Sequence, residues 1–190
     1  MRRLKKAYLE ITNMCNLDCQ FCPGTRRTKG VLSPEGFQTL GERLRPHTDY
    51  LYLHLMGEPL LHPHLAEILE RAEKLKFRVM ITTNGTLLEE QLPGLLAAGL
   101  TGVNISLDTL NEWTFRQITR REGVRRTVKA IDTCLAAGLP VKVNCVPIAP
   151  EEELVELAKV LKKYDALLTV HMRNEGPRIF QAVDEMLDIV

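Results

Sequence analysis

The chain has 190 residues, 45% of them hydrophobic and 26% charged, with a formal net charge of +1. That length suits one domain with a proper core, and the near-neutral balance gives no bulk attraction to nucleic acid or to an anionic membrane. The basic start from Met1 to Lys6 is too short for a signal peptide, no apolar run approaches a transmembrane length, and the five cysteines, three in one loop, do not read as a disulfide framework. A single unit over 1–190 in a reducing cytoplasm is the expectation.

Short β-rich runs alternate with helical periods, the pattern of an α/β fold around a mainly parallel sheet. A first strand is expected over Ala7 to Thr12, followed by the loop of Cys15, Cys19 and Cys22, which Pro23-Gly24 turns away. Ser33-Pro34 reads as an N-cap with proline at the first helical position, and Phe37, Leu40 and Leu44 would face inward. A second strand, Tyr50 to Leu55, runs into Met56-Gly57-Glu58-Pro59, and its helix carries Leu65, Ile68, Leu69, Ala72 and Leu75. The third, Phe77 to Thr82, ends in Thr83-Asn84-Gly85, and Pro93-Gly94 predicts an irregular or late-starting helix. The fourth, Val103 to Leu107, ends beside Ser106 and Asp108, with a long helix marked by Val124, Val128, Ile131 and Leu135 and with Trp113 in or near the core.

A fifth strand, Val141 to Val146, precedes a helix opened by Pro150 and acidic Glu151 to Glu153. A sixth, Leu167 to His171, precedes a last helix burying Ile179, Val183, Met186 and Leu187. The near-copies Leu96-Ala97-Ala98-Gly99-Leu100 and Leu135-Ala136-Ala137-Gly138-Leu139 place glycine at two helix ends, so a strand–helix unit repeats. About six such units predict a partial (β/α)6 barrel of parallel strands. Chemistry in parallel α/β folds gathers at the carboxyl ends of the strands, which here carry the cysteine loop, 56–59, 82–85, 106–108, 144–147 and 171–173.

The cysteines are spaced C-x3-C-x2-C. A closed zinc site recruits four ligands and a disulfide needs pairs. Three thiolates so close suit an iron–sulfur cube with one iron left for a reacting ligand. Cys134 and Cys145 fall in helix and strand patterns as small buried hydrophobes.

The cysteine loop with Phe21, the Gly57-Glu58-Pro59 turn and the Thr82-Thr83-Asn84-Gly85 strand end together resemble the radical S-adenosylmethionine superfamily over most of Ala7 to Pro147. The resemblance implies a 4Fe–4S cluster on Cys15, Cys19 and Cys22, whose open iron chelates S-adenosylmethionine. It implies reductive cleavage to a 5′-deoxyadenosyl radical and hydrogen abstraction from a small-molecule or protein substrate, with an electron donor such as flavodoxin or ferredoxin. Gly57, Glu58 and Pro59 would meet the methionyl ammonium, Phe21 the adenine, and Thr83, Asn84, Ser106 and Asp108 would lie at the cofactor. Met56 departs from the first glycine of the Gly-Gly-Glu-Pro turn usual in this superfamily.

Thr82 to Pro147 looks most like the GTP 3′,8-cyclase family of molybdenum-cofactor synthesis, which implies substrate contacts for Thr82 and Lys142. Tyr8 stands where that family has a nucleotide-contacting arginine, and the cysteines of its second cluster are absent from 1–190. A minimal core of this kind could instead act on a partner protein, as activating enzymes do. The segment from Leu168 resembles N-acyl-D-amino-acid amidohydrolases, which implies a divergent 151–190 and a chimeric or engineered chain.

Other readings stand beside these. Gly57-Glu58-Pro59 and Thr83-Asn84-Gly85 are also ordinary turns, and Lys142 is also a solvated strand-edge lysine. His62, His64 and His171 would serve a zinc-dependent hydrolase, although no general base or full ligand set accompanies them. Arg120, Arg121, Arg125 and Arg126 read as a solvated helix face, with a grip on phosphate as the alternative. A non-catalytic engineered barrel would carry the motifs without chemistry.

Overall fold

The structure is a computed structural model that describes residues 3–146, 155–156 and 158–159 and the backbone of 167–170. Its sheet is built from β1 (Ala7–Tyr8), β2 (Tyr50–Leu53), β3 (Arg78–Thr83), β4 (Gly102–Ser106), β5 (Val141–Cys145) and β6 (Leu167–Val170). All five pairings are parallel and the strands lie in chain order. Between them run α1 (Pro34–Leu44), α2 (Leu65–Lys74), α3 (Leu88–Ala97), α4 (Glu112–Thr119) and α5 (Val124–Ala136). This is the expected partial (β/α)6 barrel. The tail 171–190, with His171 and most of the amidohydrolase-like segment, lies outside the described residues.

Side chains alternate across the sheet with the period of the pleat. Leu51, Leu53, Val79, Ile81, Val103, Ile105 and Val143 point one way into a core with Phe37, Ile68, Leu69, Leu92, Leu95 and Ile131 of the helices. Burying each such side chain stabilises the fold by about 1.5–3 kcal/mol. Tyr52, Met80, Thr82, Asn104, Lys142 and Asn144 take the alternate positions and line the opposite, concave face. One face is thus apolar and sealed by helices, and the other carries polar side chains, with Thr82 and Asn104 buried on it.

The helix signals worked locally. Ser33 accepts a hydrogen bond from the Gly36 N–H and caps α1, with Pro34 at its first position. Gly99 and Gly138 adopt φ of +94° and +70°, and the following Leu100 and Leu139 N–H groups reach back to the carbonyls of Leu95 and Cys134. The twin sequence words are therefore twin helix ends.

Five expectations are corrected. The first strand is only two residues long; Thr12 instead makes an antiparallel bridge to Val31, because the chain turns early to hold the cysteine loop. α3 does not start late but runs through Pro93, whose missing N–H falls on an exposed position while Leu88, Leu92 and Leu95 bury the other side. A separate helix, α4, precedes α5, started by the Asn111 side chain accepting from the Thr114 N–H. Trp113 on α4 is 70% exposed, because Phe115 and Ile118 take the inward positions; Leu40 on α1 is likewise at the surface.

Candidate active site

The chain entering the cysteine loop and the loop itself are fastened to two strand ends and one helix. Gly57 sits at φ +81°, and a Cβ there would come within 2.6 Å of the Thr12 carbonyl and 2.8 Å of the Met14 carbonyl. Only glycine permits both the conformation and the approach. Beside it, the Glu58 N–H donates to the Met14 carbonyl at 2.7 Å, so the turn after β2 lies directly on the chain entering Cys15. Asn16, inside the loop, donates to Thr86 at 2.9 Å and accepts from the Asn84 side chain at 2.8 Å. On the far side, the N–H groups of Asp18 and Gln20 donate to the carbonyls of Thr119 and Ile118 at the end of α4.

Glu58 holds two of these turns together. Its side chain is 1% exposed; one oxygen accepts from the Leu60 N–H at 3.1 Å and the other from the Asn84 N–H at 2.7 Å. Burial pushes its carboxyl pKa up, offset in part by those two N–H groups and the Thr83 hydroxyl. The carboxylate is thus occupied within the fold, and the Gly57–Pro59 turn offers its backbone rather than this side chain.

Cys15 and Cys22 are exposed residues and Cys19 is half-buried, whereas Cys134 and Cys145 are buried as expected. Desolvation pushes the Cys19 thiol up to about 12, with further contributions from Cys15, Asp108 and Cys22; Cys15 is raised by desolvation, with Glu58 and Cys22 adding to it. The three sulfurs therefore feel one another, and gathering three bare thiolates needs a compensating positive charge. Among the described residues no three Cys, His, Asp or Glu side chains close around one ion. A single zinc would need its sulfurs about 3.8 Å apart, given Zn–S bonds of about 2.3 Å. A cube takes one cysteine on each of three irons. The donor set fits the cluster, with sulfur-rich soft ligation and one coordination place left over.

The remaining predicted residues divide between the two faces. Thr82, Asn104 and Lys142 stand side by side in register on the concave face, and the Asn104 side chain donates to the Thr82 hydroxyl at 3.2 Å. Ser106 pairs in register with Asn144 one step nearer the rim. Asp108 accepts from the Val146 N–H at 2.8 Å, joining the ends of β4 and β5 close to Cys19. Thr83 lies on the other face, in register with Ile105, and its hydroxyl accepts from the Gly85 N–H. Phe21 is 44% exposed on the loop. Tyr8 packs its ring on Tyr52 and His54.

Four residues absent from the sequence-based set matter here: Asn16, Thr86, Asn104 and Thr127, the last donating to the Asn84 carbonyl at 2.9 Å. Alternation along β4 could have flagged Asn104, as a polar residue at an inward position. The other three act across 43 to 70 residues of chain and leave no local trace.

His62 is spoken for. Its Nε2 lies 2.9 Å from the Leu32 carbonyl, and its Nδ1 accepts from the His64 N–H at 3.1 Å. Both ring nitrogens are used, which leaves no lone pair for a metal without breaking a buried bond.

A family model described as the Radical SAM superfamily matches residues 9–164. The chain belongs to the radical SAM superfamily. Enzymes of that superfamily use a 4Fe–4S cluster and S-adenosylmethionine, the two cofactors expected from the sequence. Among curated proteins, this radical SAM chain is 41% identical over 143 residues to the "Probable GTP 3′,8-cyclase" of Methanothermobacter thermautotrophicus, covering 73% of itself and 47% of that protein. It is 34% identical over 183 residues to the GTP 3′,8-cyclase of Chlorobaculum tepidum, covering 89% of itself and 53% of that protein. The chain thus spans about half the length of the curated relatives it matches. Among solved structures, Streptococcus suis SuiB bound to S-adenosylmethionine superposes with a TM-score of 0.78 at 17% identity, over 98% of this chain and 47% of that one, a likeness of fold. No helix among the described residues is long and apolar enough to cross a membrane.

Proposed function

We propose that this chain reductively cleaves S-adenosylmethionine and uses the product to take a hydrogen atom from a substrate held on the concave face of the sheet. Cys15, Cys19 and Cys22 would hold the cluster. The backbone of Gly57 to Pro59 would meet the amino group of S-adenosylmethionine, with Ser106 and Asp108 along its other edge and Phe21 toward the adenine. Bound together, the two cofactors supply a 5′-deoxyadenosyl radical. The observation that carries this reading is the packing of Gly57 on the backbone of Thr12 to Met14, which sets the turn against the cysteine loop with no room for a side chain between them.

The chain's own residues do the holding. Glu58 and Asn84 fix the turn, and Asn16 with Thr86 fixes the loop to β3. Thr82, Asn104 and Lys142 offer a hydroxyl, an amide and an ammonium to the substrate in one layer. The likeness to GTP 3′,8-cyclases makes GTP the first substrate to try. A low-potential carrier such as flavodoxin or ferredoxin would supply the electron, in the reducing cytoplasm where an exposed thiolate cluster lasts.

Anaerobically reconstituted protein, reduced by dithionite with S-adenosylmethionine, is expected to release 5′-deoxyadenosine, and deuterated GTP to pass deuterium into it. No 5′-deoxyadenosine from a protein that holds its cluster overturns the proposal; 5′-deoxyadenosine without deuterium leaves the cleavage standing and removes GTP.

A further inference from the structure

A cleft of about 350 Å³ opens beside the cysteine loop, lined by Asn16, Leu17, Thr86, Glu122 and four arginines, Arg116, Arg120, Arg121 and Arg126. Four guanidinium groups face Glu122 on the wall and Asp18 paired to Arg120 just outside it, an excess of two positive charges in a chain whose whole net charge is +1. α5 adds to that field. It starts at Gly123, whose N–H donates to the Glu112 carboxylate at 3.1 Å, and its own first turn holds no acid but Arg125 and Arg126, although arginine there opposes the helix dipole. α1 to α4 each carry an acid in their first turn.

The arginines are not arranged as a small-anion cradle. Arg116 pairs with Glu122 at 3.3 Å and Arg120 with Asp18 at 2.9 Å, and the two arginine side chains are 65% and 59% exposed. A tight phosphate site would bury its guanidinium groups and leave them unpaired. A wide, exposed field is suited instead to steering a large charged partner, and rim charges act chiefly on association rate and orientation. Position says which partner. The cleft's own wall includes Asn16 and Leu17, which lie between two of the cluster cysteines, and Asp18 ties Arg120 to the same loop.

We propose that this arginine cleft is the docking surface for an acidic one-electron carrier protein of the flavodoxin type. This rests on the radical reading above. One electron leaves the reduced flavin of the carrier and arrives at the cluster site; no bond forms or breaks in the protein, and the short path through the cysteine loop is what the location secures. Arg120 also braces the loop, so the test spares it.

Cluster-loaded protein is titrated calorimetrically with an acidic bacterial flavodoxin at several salt concentrations, and reduction of the cluster by flavodoxin hydroquinone is followed by absorbance. Binding is expected to weaken steeply with salt, and the double variant Arg121→Glu/Arg126→Glu to bind and accept electrons about tenfold or more weakly. The variant Arg121→Lys/Arg126→Lys is expected to keep most of the binding, and both to be reduced by dithionite as fast as the parent. Binding indifferent to salt, or equal in the glutamate variant, overturns the docking surface. So does pyrophosphate binding that the glutamate variant loses while flavodoxin binding stays, which makes the cleft a small-anion site. A failure of dithionite to yield 5′-deoxyadenosine would count against the radical reading instead, since the binding titration does not depend on it.

Discussion

The carboxylate of Glu58 accepts the backbone N–H of Asn84 at 2.7 Å, joining the turn after β2 to the turn after β3 across 26 residues of chain. In Glu58→Gln the amide can accept one of the two N–H groups now served but presents its own N–H to the other. A buried donor left without an acceptor costs about 1–3 kcal/mol. Urea unfolding of the metal-free variant is expected to show a loss in that range. A change within about 0.5 kcal/mol, the ordinary surface-substitution range, would mean that the tie does not hold the turn.

Gly57 and Gly94 form a matched pair. Gly57→Ala forces a left-handed backbone on alanine, at about 1 kcal/mol, and drives the Cβ against two carbonyls that no rotamer change relieves. The variant is expected to lose stability and most of its capacity to bind iron. Gly94 lies in α3 with nothing within 4 Å of an added Cβ, so Gly94→Ala is expected to stabilise the fold by about 0.5–1 kcal/mol. Melting temperatures and iron content of the two variants check both statements; equal iron in Gly57→Ala and the parent refutes the first.

His62 makes stability depend on pH. Its carbonyl partner Leu32 can only accept, so Nε2 carries the proton and Nδ1 must stay bare to accept the His64 N–H. Protonation would set a second N–H against that donor, and burial is the first cause that lowers the pKa below 6.5, with His64 adding to it. The unfolded chain therefore binds the proton first. This contribution is fully present above the unfolded pKa and is lost as pH falls through the depressed folded value, with a slope of at most about 1.4 kcal/mol per pH unit. Urea unfolding at pH 7.5 and 5 is expected to show a drop that shrinks in His62→Gln; an equal drop in both proteins removes His62 as its source.

The strands, their parallel order and the two glycine-ended helices were legible because each rests on a pattern a few residues long, such as Leu96 to Leu100 repeated at Leu135 to Leu139. The cysteine loop was legible for the same reason. What stayed hidden is non-local: Thr12 leaving the sheet for Val31, Asn16 reaching Asn84 and Thr86, and Asp18 and Gln20 leaning on α4. The resemblance gave Thr82 a substrate contact and Thr83 a place at the cofactor, and the register with Asn104 and Ile105 sends the two to opposite faces. Trp113 and Phe115 compete for the same helix, and packing chose the phenylalanine.

The polar layer of Thr82, Asn104 and Lys142 gives a prediction that separates the two stages of the chemistry. Asn104→Ala and Lys142→Ala are expected to keep iron content and uncoupled release of 5′-deoxyadenosine, while turnover of substrate falls by about tenfold or more, the range for a hydrogen bond to a charged or reacting group. Steady-state kinetics with the accepted substrate measure this. Unchanged kcat/KM in both variants would place the substrate elsewhere.

The most direct measurement is anaerobic loading with iron and sulfide, followed by electron paramagnetic resonance of the dithionite-reduced protein before and after adding S-adenosylmethionine. The account predicts the signal of one reduced 4Fe–4S cluster per chain, changed in shape by S-adenosylmethionine, and no such signal in Cys15→Ala, Cys19→Ala or Cys22→Ala. A folded parent chain that takes up no cluster, or a cluster retained when all three cysteines are replaced, would contradict it.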